Sequence, residues 1–113
     1  MPSYCPRRGD IAWLTLDPQM GHEQSGHRPA LVLSPEPYNR RTGLAIFCPI
    51  SSQEKGYPFE VRIPNDLKIS GVVLSDQVKS LDWKARRAKF CCEIPSSALS
   101  EVMDKLDTLL RKV

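Results

Sequence analysis

Ten prolines spread through 113 residues constrain this chain more than any other feature. Proline fixes φ and removes a backbone donor, so it interrupts helices and is confined to edges, ends and bulges of sheets. It cuts the chain into short pieces, and the apolar pieces read as strands. Residues 10–17 (D-I-A-W-L-T-L-D) alternate, with Ile11, Trp13 and either Leu14 or Leu16 turned inward. Residues 29–35 (P-A-L-V-L-S-P) form a continuous apolar run, as expected of a strand buried on both faces. Residues 44–50 come next, with Pro49 predicting an edge or a bulge at that end. Residues 57–63 alternate cleanly and place Tyr57, Phe59, Val61 and Ile63 on one face. Residues 71–74 and 88–94 are further strands, residues 76–83 lead into a turn, and residues 36–43 read as a turn segment closed by Thr42-Gly43.

After Pro95 the period changes. Leu99, Val102, Met103, Leu106, Leu109, Leu110 and Val113 recur at spacings of three and four, the apolar stripe of an amphipathic helix. Several short strands followed by one helix predict a mainly β fold: a small curled sheet or partly open barrel packed by the terminal helix. A length of 113 residues fits a single domain over residues 1–113.

Composition excludes some classes. With 41% apolar and 26% charged residues the chain is globular, not disordered. Its apolar runs are far too short to span a membrane, and no secretory signal opens it, so a cytoplasmic location is expected. Cys5, Cys48, Cys91 and Cys92 contain no C-x-x-C pair, which predicts four free, mostly buried thiols and no metal site. On a regular strand Cys91 and Cys92 would face opposite ways.

The chemistry concentrates in residues 21–29, G-H-E-Q-S-G-H-R-P, a turn-rich loop held between two strands. Glu23 is suited to act as a general base and Arg28 as a planar, permanently charged phosphate clamp. His22 and His27 could each move a proton near neutrality. Ser51, opening the next polar loop, could add a hydroxyl donor. Such a set suffices to cut RNA without metal or cofactor, by attack of the 2′-hydroxyl on the adjacent phosphorus. Trp83 is equally compatible with a core position and with base stacking. The basic pairs Arg7–Arg8, Arg40–Arg41 and Arg86–Arg87, with Lys79, Lys84 and Lys89, would form a phosphate-tracking groove if gathered on one face. A net charge of +3 does not by itself require one.

In order along the chain, R-G-D-I-A-W-L-T-L-D-P, G-H-E-Q-S-G-H-R-P-A-L-V-L-S-P, Y-N-R-R-T-G, I-S-S-Q, K-G-Y-P-F-E-V, G-V-V-L-S-D-Q-V-K-S and W-K-A-R resemble the MazF/PemK (Kid) toxins of bacterial toxin–antitoxin pairs. The resemblance implies an SH3-like, CcdB/PemK-type β-barrel with a C-terminal helix, working as a homodimer. It implies a ribosome-independent endoribonuclease that cuts single-stranded RNA, chiefly mRNA, at a short sequence and arrests growth. The products would carry 2′,3′-cyclic phosphate and 5′-hydroxyl ends. No cofactor is expected, and the implied protein partner is a MazE-like antitoxin with an acidic flexible segment.

Residue by residue, the resemblance puts the family's glutamate on Glu23, its arginine on Arg28 and its hydroxyl on Ser51, where threonine is usual. The substrate-binding histidine of the Kid branch falls on His22 and the aspartate of that branch's second cluster on Asp76. That branch's arginine two places earlier is Leu74 here, which leaves Arg28 as the main cation. His27, Gln53, Lys55, Gln77, Lys79, Arg86 and Arg87 complete the expected RNA-binding set, with residues 53–57 and 76–79 setting the sequence that is cut.

Overall fold

The computed structural model describes residues 4–15 and 27–111. Among these, seven antiparallel strands and two helices follow in the order β1 (Asp10–Thr15), β2 (His27–Val32), α1 (Glu36–Thr42), β3 (Leu44–Ser51), β4 (Glu60–Arg62), β5 (Val72–Leu74), β6 (Lys79–Asp82), β7 (Lys89–Glu93) and α2 (Ser96–Leu110). The strand order is β4-β5-β3-β2-β1-β7, with β6 also on β3. This is the mainly β sheet with a terminal helix that the periodicity predicts.

β3 explains how a proline is accommodated inside the sheet. Its first half pairs with β6, from Leu44↔Asp82 to Phe47↔Lys79, and its end pairs with β5, at Ile50↔Val73 and Ser51↔Val72. Pro49 stands between these two ladders, opposite Ala30 of β2. Of the edge or bulge that the proline predicts, the edge does not hold: β3 has partners on both sides, and its outer ladder is interrupted at Pro49. Proline is tolerated where β3 changes partners and no ladder donor is needed on the outer side.

Both faces of the sheet are buried. On one, Ile11, Leu31, Leu33, Cys48, Val61, Ile63 and Val73 pack with Ala98 and Val102 of α2. On the other, Ala12, Leu14, Ala30, Val32, Ala45 and Phe47 surround Trp83 and Cys5. The alternation of β1 and β2 between these clusters is the period of two expected of strands buried on both sides. Trp83 is thus a core residue, its indole N–H donating to the Asn39 carbonyl at 3.0 Å. Trp13 packs half-buried against the helix-side cluster.

Three local expectations fail for identifiable reasons. The segment 36–43 is a helix over Glu36–Thr42 and not a turn. This helix has only seven residues and no apolar stripe to betray it; tertiary bonds of the fully buried Asn39 anchor it, to the carbonyls of Pro6 and Ser34, both at 2.9 Å. Gly43 closes it in the left-handed conformation at φ 76°. The alternating run 57–63 is a strand only over Glu60–Arg62, and Tyr57 stands 61% exposed, not on the buried face. Cys91 and Cys92 do not face opposite ways into different environments. A bulge takes Ile11 opposite Cys92 and Ala12 opposite Phe90, so Cys91 is the extra residue and both thiols contact the helix-side cluster. All four cysteines are free.

Candidate functional site

β2 and β3 lie side by side, and the N-terminal end of β2 meets the C-terminal end of β3. That geometry brings Arg28 and Ser51, 23 residues apart in sequence, to one end of the sheet. Arg28 stands opposite Leu14 on β1, and His27 opposite Thr15. Alternation then gathers the side chains that share the Arg28 face. Leu14, Ala30, Phe47, Pro49 and Leu81 floor a pocket of about 90 Å³, with Pro29, and Arg28 and Lys79 stand at it. Both cations are exposed, while Leu14, Ala30 and Phe47 are core residues. An apolar floor with two basic side chains at its rim is suited to a planar ring carrying a phosphate.

Ser51 is fixed from two sides. Its hydroxyl accepts the Gln53 N–H at 3.1 Å, closing a tight turn at the start of the following loop. On the other side Gly71, at φ 127°, runs so close that an added Cβ would lie 2.2 Å from the Ser51 carbonyl oxygen. Only glycine permits that approach. The hydroxyl that could serve a phosphate therefore also serves its own turn, and its hydrogen reaches only a long contact, 3.3 Å, to the Gln53 carbonyl.

The remaining expected residues divide clearly. Gln53 and Lys55 are exposed on the loop that leaves Ser51. Asp76 and Gln77 are exposed on the turn after β5, where the Gln77 N–H donates to the Leu74 carbonyl at 3.1 Å. Lys79 stands opposite Phe47. The Arg86 carbonyl accepts the Thr15 N–H at 2.8 Å, which places the Arg86–Arg87 turn at the Thr15 end of β1, ahead of β7. Arg87 takes up φ 54° there. Glu23 and His22 lie outside the described residues.

The other basic pairs do not join this group. β2 leaves the site end and runs towards α1, so Arg40 and Arg41 stand at its opposite end. Arg40 and Arg7 both pair with Glu36 there, and the Arg8 guanidinium donates to the Leu33 carbonyl at 2.8 Å. Among the described residues no three His, Cys, Asp or Glu side chains converge as metal ligands, and no helix is long and apolar enough to cross a membrane.

Beneath the site, burial pushes the Cys48 thiol up to about 12, with the nearby Asp76 carboxylate adding to the rise. It is an inert core group and not a nucleophile. The pocket floor was not singled out from sequence. Its signal was present in the alternation of Arg28 with Ala30, Phe47 with Pro49 and Lys79 with Leu81, but which strands adjoin is decided only by topology.

Residues 7–110 match the family model of the PemK-like, MazF-like toxin of type II toxin–antitoxin systems. The chain belongs to this family. It is 44% identical over 107 residues to the endoribonuclease toxin MazF of Escherichia coli K12, covering 95% of this chain and 96% of that protein. The endoribonuclease PemK of Escherichia coli is 36% identical over 107 residues, covering 91% of this chain and 80% of that protein. Among solved structures, a MazE–MazF crystal structure from Deinococcus radiodurans superposes with a TM-score of 0.91 at 55% identity, over 96% of this chain and 97% of that one. The PemK/MazF fold is therefore the fold of this chain.

Proposed function

We propose that this protein is the toxin of a toxin–antitoxin pair and a sequence-specific endoribonuclease of single-stranded RNA. The observation that carries the reading is the meeting of Arg28 and Ser51 at one end of the sheet, above an apolar pocket flanked by Lys79, in a member of the PemK/MazF family. Relatives at 44% and 36% identity are endoribonucleases by name.

In this mechanism Glu23 takes the proton of a ribose 2′-hydroxyl, which attacks the neighbouring phosphorus. Arg28 donates two parallel hydrogen bonds to the crowded phosphate oxygens, where charge accumulates. Ser51 turns its hydroxyl from the Gln53 carbonyl towards the same phosphate. The 5′-oxygen departs with a proton, for which His22 and His27 are the available donors. The apolar floor takes a base, and Lys79, Arg86 and Arg87 track the backbone, with Gln53, Lys55, Asp76 and Gln77 reading neighbouring bases. The products are a 2′,3′-cyclic phosphate and a 5′-hydroxyl end, and no step calls for a metal ion. DNA, without the 2′-hydroxyl, is not a substrate.

The same end of the sheet suits an antitoxin. A flexible acidic segment laid over the exposed cations would exclude RNA by offering the same charge. A MazE–MazF structure is among the relatives in fold. Residues 1–113 act as one domain, and two copies form the working unit.

Incubation of the purified protein with a long mixed-sequence RNA in a metal chelator, followed by mapping of the ends, tests the reading. Cuts at one short recurring sequence with cyclic-phosphate and 5′-hydroxyl ends are expected. An intact RNA after long incubation with folded, antitoxin-free protein would overturn it.

A further inference from the structure

The loop from Ser52 to Phe59 follows Ser51 directly, and its construction is unusual. Residues 52–58 are all exposed, so burial does not hold it in place. Its backbone is held by polar groups. The Glu60 carboxylate, at the start of β4, accepts the Lys55 N–H at 3.2 and 3.1 Å and the Gly56 N–H at 2.9 Å. The Glu60 N–H donates to the Tyr57 carbonyl at 3.1 Å. The Phe59 carbonyl accepts both the N–H and the hydroxyl of Ser75. Lys105 of α2 reaches the carbonyls of Pro58 and Glu60. Gly56 supplies the turn at φ 85° that lets its amide and that of Lys55 point to one carboxylate.

Set against this fixed backbone, the side chains of Gln53, Lys55 and Tyr57 are exposed, Tyr57 to 61%. A loop whose main chain is bonded at Gln53, Lys55, Gly56, Tyr57, Pro58 and Phe59 while a cation, an amide and an aromatic ring project from it is preorganised for recognition. The ordering cost is met at folding and not on binding. The Glu60 carboxylate thus binds two backbone amides of the loop. Arg62 on the same strand goes to Glu54, with both oxygens at 2.9 Å.

We propose that Glu60 is a positioning residue for substrate recognition: by gripping the Lys55 and Gly56 amides it fixes the 52–59 loop as a preformed edge of the RNA-binding face. The proposal rests on the endoribonuclease reading. Glu60 touches no substrate in it, acting through the loop that presents Lys55 and Tyr57. Its removal should therefore weaken and blur recognition and leave the chemical step at Arg28 and Ser51 intact.

The test compares wild type, Glu60→Ala and Glu60→Gln, with folding checked by circular dichroism and thermal melting. Amide hydrogen exchange at Lys55 and Gly56 is read first, because it does not depend on activity. It should quicken in Glu60→Ala and less so in Glu60→Gln, whose carbonyl oxygen still accepts a bond. On a short RNA cut by the wild type, Glu60→Ala should raise KM by about tenfold, on the scale of lost charge-assisted bonds, with kcat within about twofold. Its cuts on a long RNA should spread to secondary sequences, and Glu60→Gln should recover much of the KM and the pattern. Unchanged KM and pattern in Glu60→Ala would overturn the proposal, and so would a fall in kcat alone. A wild type that cuts no RNA would sink the cleavage reading and the recognition role together, while hydrogen exchange would still decide whether Glu60 holds the loop.

Discussion

Gly71 links the stability of the fold to the geometry of the site, and Gly71→Ala measures that link. The residue precedes β5 at φ 127°, a conformation that costs an L-residue about 1–3 kcal/mol. The new methyl would also lie 2.2 Å from the Ser51 carbonyl oxygen, with the Ser51 carbonyl carbon at 3.1 Å and the Ser52 Cα at 3.3 Å. These are backbone atoms, so no side chain can swing aside. To restore even 3.0 Å, the end of β3 and the start of β5 must separate by about 0.8 Å, which is 3.0 less 2.2. Overpacking of this kind costs roughly 1–3 kcal/mol more, for a total of about 4 kcal/mol. At about 4 °C per kcal/mol for a domain of this size, the melting temperature should fall by roughly 15 °C. Because Ser51 itself moves, cleavage by the folded variant should also drop, on the order of a hundredfold for a displacement near 1 Å. The control is Gly43→Ala, at φ 76° with nothing within 4 Å of the new methyl. It should lose only about 1 kcal/mol and keep full cleavage. Melting curves and cleavage rates, taken well below both transitions, decide the matter. A Gly71→Ala protein as stable as Gly43→Ala, or one that cuts at the wild-type rate, would refute the reasoning.

Arg28→Ala should lower kcat/KM by at least about a hundredfold with the melting temperature almost unchanged, since the side chain is exposed; Arg28→Lys should recover little, because a single ammonium cannot donate the two parallel bonds. Asn39→Ala should cost about 3 kcal/mol in urea unfolding, because it strips hydrogen bonds from the Pro6 and Ser34 carbonyls and the Ser34 hydroxyl inside the core. For Cys48, the thiol rises from 9.0 to about 12 on folding, so the unfolded chain releases this proton first. Its contribution to stability is complete below pH 9 and is lost as pH rises towards 12, by about 1.4 kcal/mol per pH unit. The urea midpoint of Cys48→Ala should therefore depend less steeply on pH in that window than that of the wild type, and parallel slopes would remove Cys48 from the alkaline transition.

Sequence by itself determined the fold class, the place of most strands, the terminal helix and the identity of Arg28 and Ser51 as candidates. These follow from local chemistry: the period of side-chain burial, the interruptions of proline, and the charge and hydrogen-bonding capacity of each residue. Glu23 and His22 are known only at that level, as they fall outside the described residues. The tertiary structure decided what depends on contacts between distant segments. Asn39 turns residues 36–42 into a helix through bonds to Pro6 and Ser34, and no local pattern announces that. The bulge against β1 sets both Cys91 and Cys92 against one cluster, because the partner strand and not the strand's own period fixes the register. Pairing of β2 with β3 and of β3 with β6 brings Arg28, Ser51 and Lys79 together, and sends Arg7, Arg8, Arg40 and Arg41 to the far end. The grip of Glu60 on Lys55 and Gly56 spans only a few residues, yet it needs the turn at Gly56 and the anchorage from Ser75 and Lys105. Residue type sets which chemistry is available; the pairing of strands decides which of those groups can meet.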